Sequence, residues 1–72
     1  MPKTPVLKAK DVARALERAG FVFDRQKGSH AQYKKGALLA TVPMHNTELA
    51  PKTLRSILRQ AKMTLQELGR FL

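Results

Sequence analysis

Three glycines, at 20, 28 and 36, divide the middle of this chain into segments suited to short strands and tight turns. Before Gly20, the apolar residues Val12, Ala13, Leu16 and Ala19 recur at helical spacing, which predicts a helix from Lys8 to Ala19. Gly20 ends it as a C′ glycine. Lys8 offers no capping oxygen, so Asp11 is left to support the helix start through the dipole. Three β-like runs follow, at about 21–26, 29–34 and 37–42, with Gly28 and Gly36 at the turns. A three-residue Gln26-Lys27-Gly28 loop, with Gly28 left-handed, pairs Arg25 with Ser29, Phe23 with Ala31 and Phe21 with Tyr33. Phe21, Phe23, Ala31 and Tyr33 then share an inward face; Val22, Asp24, His30, Gln32 and Lys34 share the other. A two-residue Lys27-Gly28 loop mixes the faces, because one slip exchanges them. For the second hairpin, a Lys35-Gly36 turn pairs Tyr33 with Leu38 and sets Thr41 opposite His30.

Pro43 closes the sheet, and 44–50 reads as a loop. Pro51 suits the first position of a helix running to about Ala61, with Leu54, Ile57, Leu58 and Ala61 as its apolar stripe. Lys52, Arg55, Arg59 and Lys62 form a second, basic stripe. Thr64 and Glu67 make a capping box for a last helix, with Met63 and Leu68 as its hydrophobic staple. The expectation is an α+β domain over 1–72, with an extended lead at 1–7. Its order is α-β-β-β-α-α, with a three-stranded antiparallel sheet carrying helices on one face and leaving the other open.

A chain of 72 residues buries a modest core, so a working surface is more plausible than a deep pocket. Lys and Arg number 14 against 5 acids, a net charge of +9, which points first to nucleic acid. An anionic membrane or an acidic protein competes for that charge. There is no cysteine, which removes disulfides and thiolate metal sites and makes the cytoplasm the expected compartment. No apolar run approaches the roughly 18 residues of a membrane span, and the N-terminus lacks a signal-peptide stretch.

His30 is the residue with the most chemistry. It falls on the open face with Gln32 and Lys34, and Arg25 and Lys27 are near the turn. RNA cleavage needs a base near the 2′-OH, positive charge near the phosphorus and a proton for the leaving 5′-oxygen. A histidine can gain and lose a proton near neutral pH. One histidine with basic neighbours meets the first two needs; His45, a lysine or water could meet the third. The plainer alternative for His30 is a solvated strand histidine, and for His45 a loop residue bonding to backbone. The stripe at 52, 55, 59 and 62 reads either as a solvated helix face or as a phosphate track. The five acids are scattered, the histidines do not form a metal pair, and no Walker loop, Gly-x-Ser-x-Gly elbow or cysteine nucleophile is present.

Three stretches together, "ALERAGFVFDRQKGSHAQYKK", "ATVPMHNTELAPKTLRSILRQA" and "TLQEL", resemble the HicA family of messenger-RNA interferase toxins of bacterial type II toxin–antitoxin systems. The likeness runs from about residue 8 to the end. It implies a fold like a double-stranded RNA-binding domain and endonucleolytic cleavage of messenger RNA with no metal or other cofactor. It places the catalytic histidine of a Gly-Ser-His motif at His30, with that motif's glycine at Gly28. It also implies a cognate antitoxin that covers the active face, with operator DNA reached only through that antitoxin. On this reading Arg25, Lys27, Gly28, Ser29, Gln32, Lys34 and the stripe Lys52, Arg55, Arg59 and Lys62 hold RNA. Two positions depart from the family pattern. Many members carry Ser or Thr where Lys8 stands, and Gly is usual at Lys62. Two other classes remain open: a nucleic-acid-binding module that does not cut, and an interaction domain for an acidic protein.

Overall fold

The structure is a computed structural model that describes residues 7–45 and 48–72. Its order is α1 (Ala9–Arg18), β1 (Val22–Lys27), β2 (His30–Lys35), β3 (Leu38–Pro43), α2 (Pro51–Ala61) and α3 (Leu65–Gly69). The strands form one antiparallel sheet in the order β1-β2-β3. This is the expected α+β order. Of the expected lead, residues 1–6 lie outside the described residues, as do 46 and 47 of the loop before α2. Leu7 and Lys8 pair with the segment before α2. Lys8 bridges Glu48, and the Leu49 N–H donates to the Leu7 carbonyl at 2.8 Å. Among the described residues no helix is long and apolar enough to cross a membrane.

Both hairpin registers differ from the sequence expectation, for one reason: each glycine opens its turn instead of closing it. Lys27 pairs with His30, so Gly28 and Ser29 form a two-residue loop. Gly28 has φ 60°, and Ser29 is not among the positive-φ residues, the signature of a type II′ turn with glycine first. Gly36, at φ 59°, opens the Gly36-Ala37 turn in the same way. A two-residue loop alone would send Phe23 to the face of Lys34. A β-bulge between Phe23 and Arg25 takes up the extra residue, Asp24, and returns Phe23 opposite Tyr33. In the second hairpin the shift is two residues, which preserves the faces. Tyr33 pairs with Ala40, Gln32 with Thr41, and Pro43, not Thr41, stands opposite His30.

The core lies between the sheet and the three helices. Val12 and Leu16 of α1, Ala31 and Tyr33 of β2, Ala40 and Val42 of β3, Leu54 and Ile57 of α2, and Leu68 of α3 are all buried, with Phe21. Phe23 shares their side of the sheet but remains 47 % exposed, contrary to the inward packing expected of it. It stands beyond the helices and meets Tyr33 edge-on, with centroids 5.7 Å apart. Lys35 closes the margin of the core. Its Nζ donates to the Ala19 carbonyl at the end of α1 at 2.8 Å, and lies 5.9 Å from the centre of the Phe21 ring.

The helix ends follow local chemistry. Asp11 accepts a hydrogen bond from the Lys8 N–H at 3.3 Å, which supplies the α1 start that the lysine cannot. Thr64 and Glu67 form the capping box of α3, with bonds of 2.9 and 3.0 Å. α2 ends at Lys62 in the left-handed conformation, φ 54° and ψ 46°. The Met63 N–H then donates five residues back to Leu58 at 2.9 Å, which closes the helix as a Schellman turn. A glycine is usual in this position for a physical reason, and here a lysine takes the strain.

Candidate nucleic-acid interface

Alternation along β2 sends Ala31 and Tyr33 into the core and His30, Gln32 and Lys34 to the side without helices. The register brings β1 residues to the same side more closely than expected from the sequence. Lys27 lies directly opposite His30, and Arg25 opposite Gln32. Directly opposed side chains start about 5 Å apart and leave the sheet on the same side, so the Lys27 ammonium is within reach of the His30 imidazole. From β3, Leu39 stands opposite Lys34, Thr41 opposite Gln32 and Pro43 opposite His30.

This face is exposed at His30, Lys27, Arg25 and Lys34. A shallow basin of about 370 Å³ opens on it, lined by Asp24, Arg25, Lys27, Gln32, Lys34 and Leu39. His30 stands at the turn end of the basin, beside Gln32 on the same strand and across from Lys27. The basin is basic on balance. Its one carboxylate, Asp24, accepts from Arg25 Nε at 3.2 Å in the single ion pair found among the described residues. Most of the Arg25 side chain is exposed, so that pair contributes little to stability.

Gln32 is the ordered polar group of the face. The Thr41 hydroxyl donates to Gln32 Oε1 at 2.8 Å, which holds the amide oxygen and leaves the two N–H bonds of the amide as its donors. On the β3 edge, the Thr41 N–H donates to Gln60 Oε1 of α2 at 2.8 Å. Thr41 thus ties β3 to α2 through its backbone and fixes Gln32 through its side chain. Strand alternation placed Thr41 on this face from sequence; nothing local signalled Gln60. Of the loop residues, Ser29 is half-buried in the turn, and its carbonyl accepts from the Met44 N–H. Gly28 shapes the turn and has open space around its α-carbon. His45 follows Pro43 by two residues, its side chain is exposed, and its N–H donates to the Pro43 carbonyl at 2.9 Å.

The structure separates the basic stripe from this face. α2 buries Leu54, Ile57, Leu58 and Ala61 against the opposite side of the sheet from His30. Its Gln60 reaches the β3 edge, while Arg55 and Arg59 border α3. Lys52, Arg55, Arg59 and Lys62 are exposed, but they line the helical side. Helical spacing showed that the four share a flank; it carried no information on which way that flank turns relative to the sheet. Among the described residues no group of three or more His, Cys, Asp or Glu side chains is placed to hold a metal ion.

A family model described as the HicA toxin of bacterial toxin–antitoxin systems matches residues 9–63, from the first residue of α1 to just past α2. The matched span contains the whole sheet and every residue of the basin. A search of curated proteins finds no match.

Proposed function

The chain belongs to the HicA toxin family, and from that premise we propose that it is a ribonuclease toxin that cuts messenger RNA on the helix-free face of its sheet, with His30 as the proton-transfer group. The family makes it the toxin of a toxin–antitoxin system and implies a cognate antitoxin as partner. The observation that carries the reading is the pairing of His30 with Lys27 on an uncovered basic face, beside a basin lined by Arg25, Gln32 and Lys34.

The chemistry runs as follows. Lys27, Arg25 and Lys34 draw the phosphates to the face, and the Gln32 amide donates to a ribose or base edge. The neutral His30 imidazole accepts the 2′-OH proton as the 2′-oxygen forms its bond to phosphorus. The neighbouring ammonium and guanidinium groups offset charge growing on the phosphoryl oxygens. The bond from phosphorus to the 5′-oxygen breaks, and that oxygen takes a proton from the imidazolium, from a lysine or from water. The products are a 2′,3′-cyclic phosphate and a 5′-hydroxyl. No step calls on a metal or a cofactor. The antitoxin silences the toxin by covering this face, and the substrate places the work in the cytoplasm.

The test uses two oligonucleotides of one sequence, all-ribose and all-2′-deoxy. The proposal expects the ribose strand to be cut to cyclic-phosphate ends and the deoxy strand to be left whole. Retardation of the RNA without cleavage would make the protein a binding module. Equal cutting of both strands would rule out attack by the 2′-oxygen.

A further inference from the structure

Behind the sheet, α2, the Met63–Thr64 connection and Leu65 at the start of α3 line an open groove of about 430 Å³. Leu54 and Leu58 close its floor, Met63 and Leu65 form its walls, and Arg55 and Arg59 stand on its rim. The two leucines of the floor are buried, whereas Met63 and Leu65 are only half-covered. Among the described residues neither arginine takes part in an ion pair. α2 contains no acidic residue, and Glu67 of α3 is committed to its bonds with Thr64. The ion pair among the described residues lies on the other face of the sheet.

We propose that this groove docks an acidic, amphipathic helix of a protein partner. Aliphatic side chains of that helix enter between α2 and α3, and carboxylates on its flanks meet Arg55 and Arg59. The mode is helix in groove, in which apolar anchors supply the burial and charged flanks set orientation and partner choice. A net charge of +9 favours an acidic occupant of any kind, so the choice between protein and nucleic acid falls to the groove lining. A single-stranded RNA held here would need flat side chains on which its bases stack. The floor and walls present aliphatic carbon and no aromatic ring. Phosphates could meet the two arginines, but nothing in the groove would hold a base. The helical side also lies away from His30, so a partner seated here anchors to the protein without entering the basin. The antitoxin that the family implies is the first protein in which to seek such a helix, as a segment apart from the one that covers the basin. The docking surface stands whether or not the open face cuts RNA.

The experiment uses the full chain and two synthetic peptides of roughly 18 residues, long enough to populate a helix. One carries leucines along a single helical face with glutamates on both flanks. The other has the same composition in scrambled order. At near-physiological salt the ordered peptide is expected to bind at least about tenfold more tightly than the scrambled one, a difference of about 1.4 kcal/mol. The double variant Arg55→Gln/Arg59→Gln and the separate variant Leu65→Ser should each erase most of that preference, with circular dichroism reporting the fold. The arginines are exposed, so their variant keeps the test valid if Leu65→Ser unfolds. Affinity of the double variant for a single-stranded RNA should fall by less than about threefold. Equal affinity for the two peptides, or binding of neither, overturns the proposal. So does a double variant that loses RNA affinity about tenfold or more and keeps its preference for the ordered peptide.

Discussion

Replacing Lys62 by glycine should stabilise this protein, although it deletes a side chain and adds no contact. Lys62 is the one non-glycine residue with positive φ among the described residues, at φ 54° and ψ 46°. That conformation costs an L-residue about 1–2 kcal/mol, through the approach of its β-carbon to the following carbonyl. Glycine removes the clash but loosens the unfolded chain, which returns roughly 0.4–1 kcal/mol. The backbone bonds of the turn, from Lys62 N–H to Arg59 at 3.2 Å and from Met63 N–H to Leu58 at 2.9 Å, need no side chain and survive. The net expectation for Lys62→Gly is a gain of about 0.5–1 kcal/mol, or a rise of about 2–8 °C in Tm for a domain of this size. Loss of a positive charge from a +9 chain would also relieve some repulsion, so Lys62→Ala serves as the control. It removes the same charge and keeps the β-carbon. Thermal and urea unfolding of the three proteins, followed by circular dichroism, separates the causes. Equal midpoints for the glycine and alanine variants would refute the strain argument, and a glycine variant less stable than the parent would reverse it.

Thr64→Ala removes the hydroxyl that accepts the Glu67 N–H, and should cost about 1 kcal/mol in urea unfolding, with the loss centred on α3. Burial, and secondarily the nearby Glu17 carboxylate, raise the Tyr33 pKa above its ordinary value of 10.0. The unfolded chain therefore sheds this proton first as pH rises. The stability Tyr33 contributes is complete below pH 10 and declines above it. Tyr33→Phe should flatten that alkaline decline, and an unchanged slope would show that the hydroxyl does not contribute to it. Thr41→Val keeps the strand shape and frees the Gln32 amide, so RNA affinity should weaken severalfold at constant Tm. An unchanged affinity would leave Gln32 without a role in binding.

The elements of the fold were legible because their signals are local. Pro51, the Thr64–Glu67 box and the glycines each act within a few residues, and α2 begins and ends where the apolar stripe said it would. The inward and outward sets of β2 were legible for the same reason, so His30, Gln32 and Lys34 were found together on one face. What was not legible depends on pairing between segments. Gly28 can open or close a turn, and the two choices differ by where Ser29 falls. The bulge at Asp24 then makes the observed choice compatible with Phe23 opposite Tyr33. Phe23 is a clear aromatic of the inward pattern, yet its exposure depends on how far the helices extend over β1. The stripe on α2 shows the same limit for function. Periodicity gathers Lys52, Arg55, Arg59 and Lys62 on one flank, and only the packing of α2 behind the sheet removes that flank from the neighbourhood of His30.

His30 is exposed, so truncating its side chain should leave the sheet undisturbed. The direct test of the account is therefore His30→Ala, with RNA cleavage and RNA binding measured on the same purified protein. The cleavage rate should fall by about 100-fold or more, the usual contribution of a positioned proton-transfer group. Binding should stay within about twofold, because the proposal assigns the phosphates to Lys27, Arg25 and Lys34. A folded His30→Ala protein that cuts RNA at the parent rate would contradict the assignment of His30 as the catalytic group.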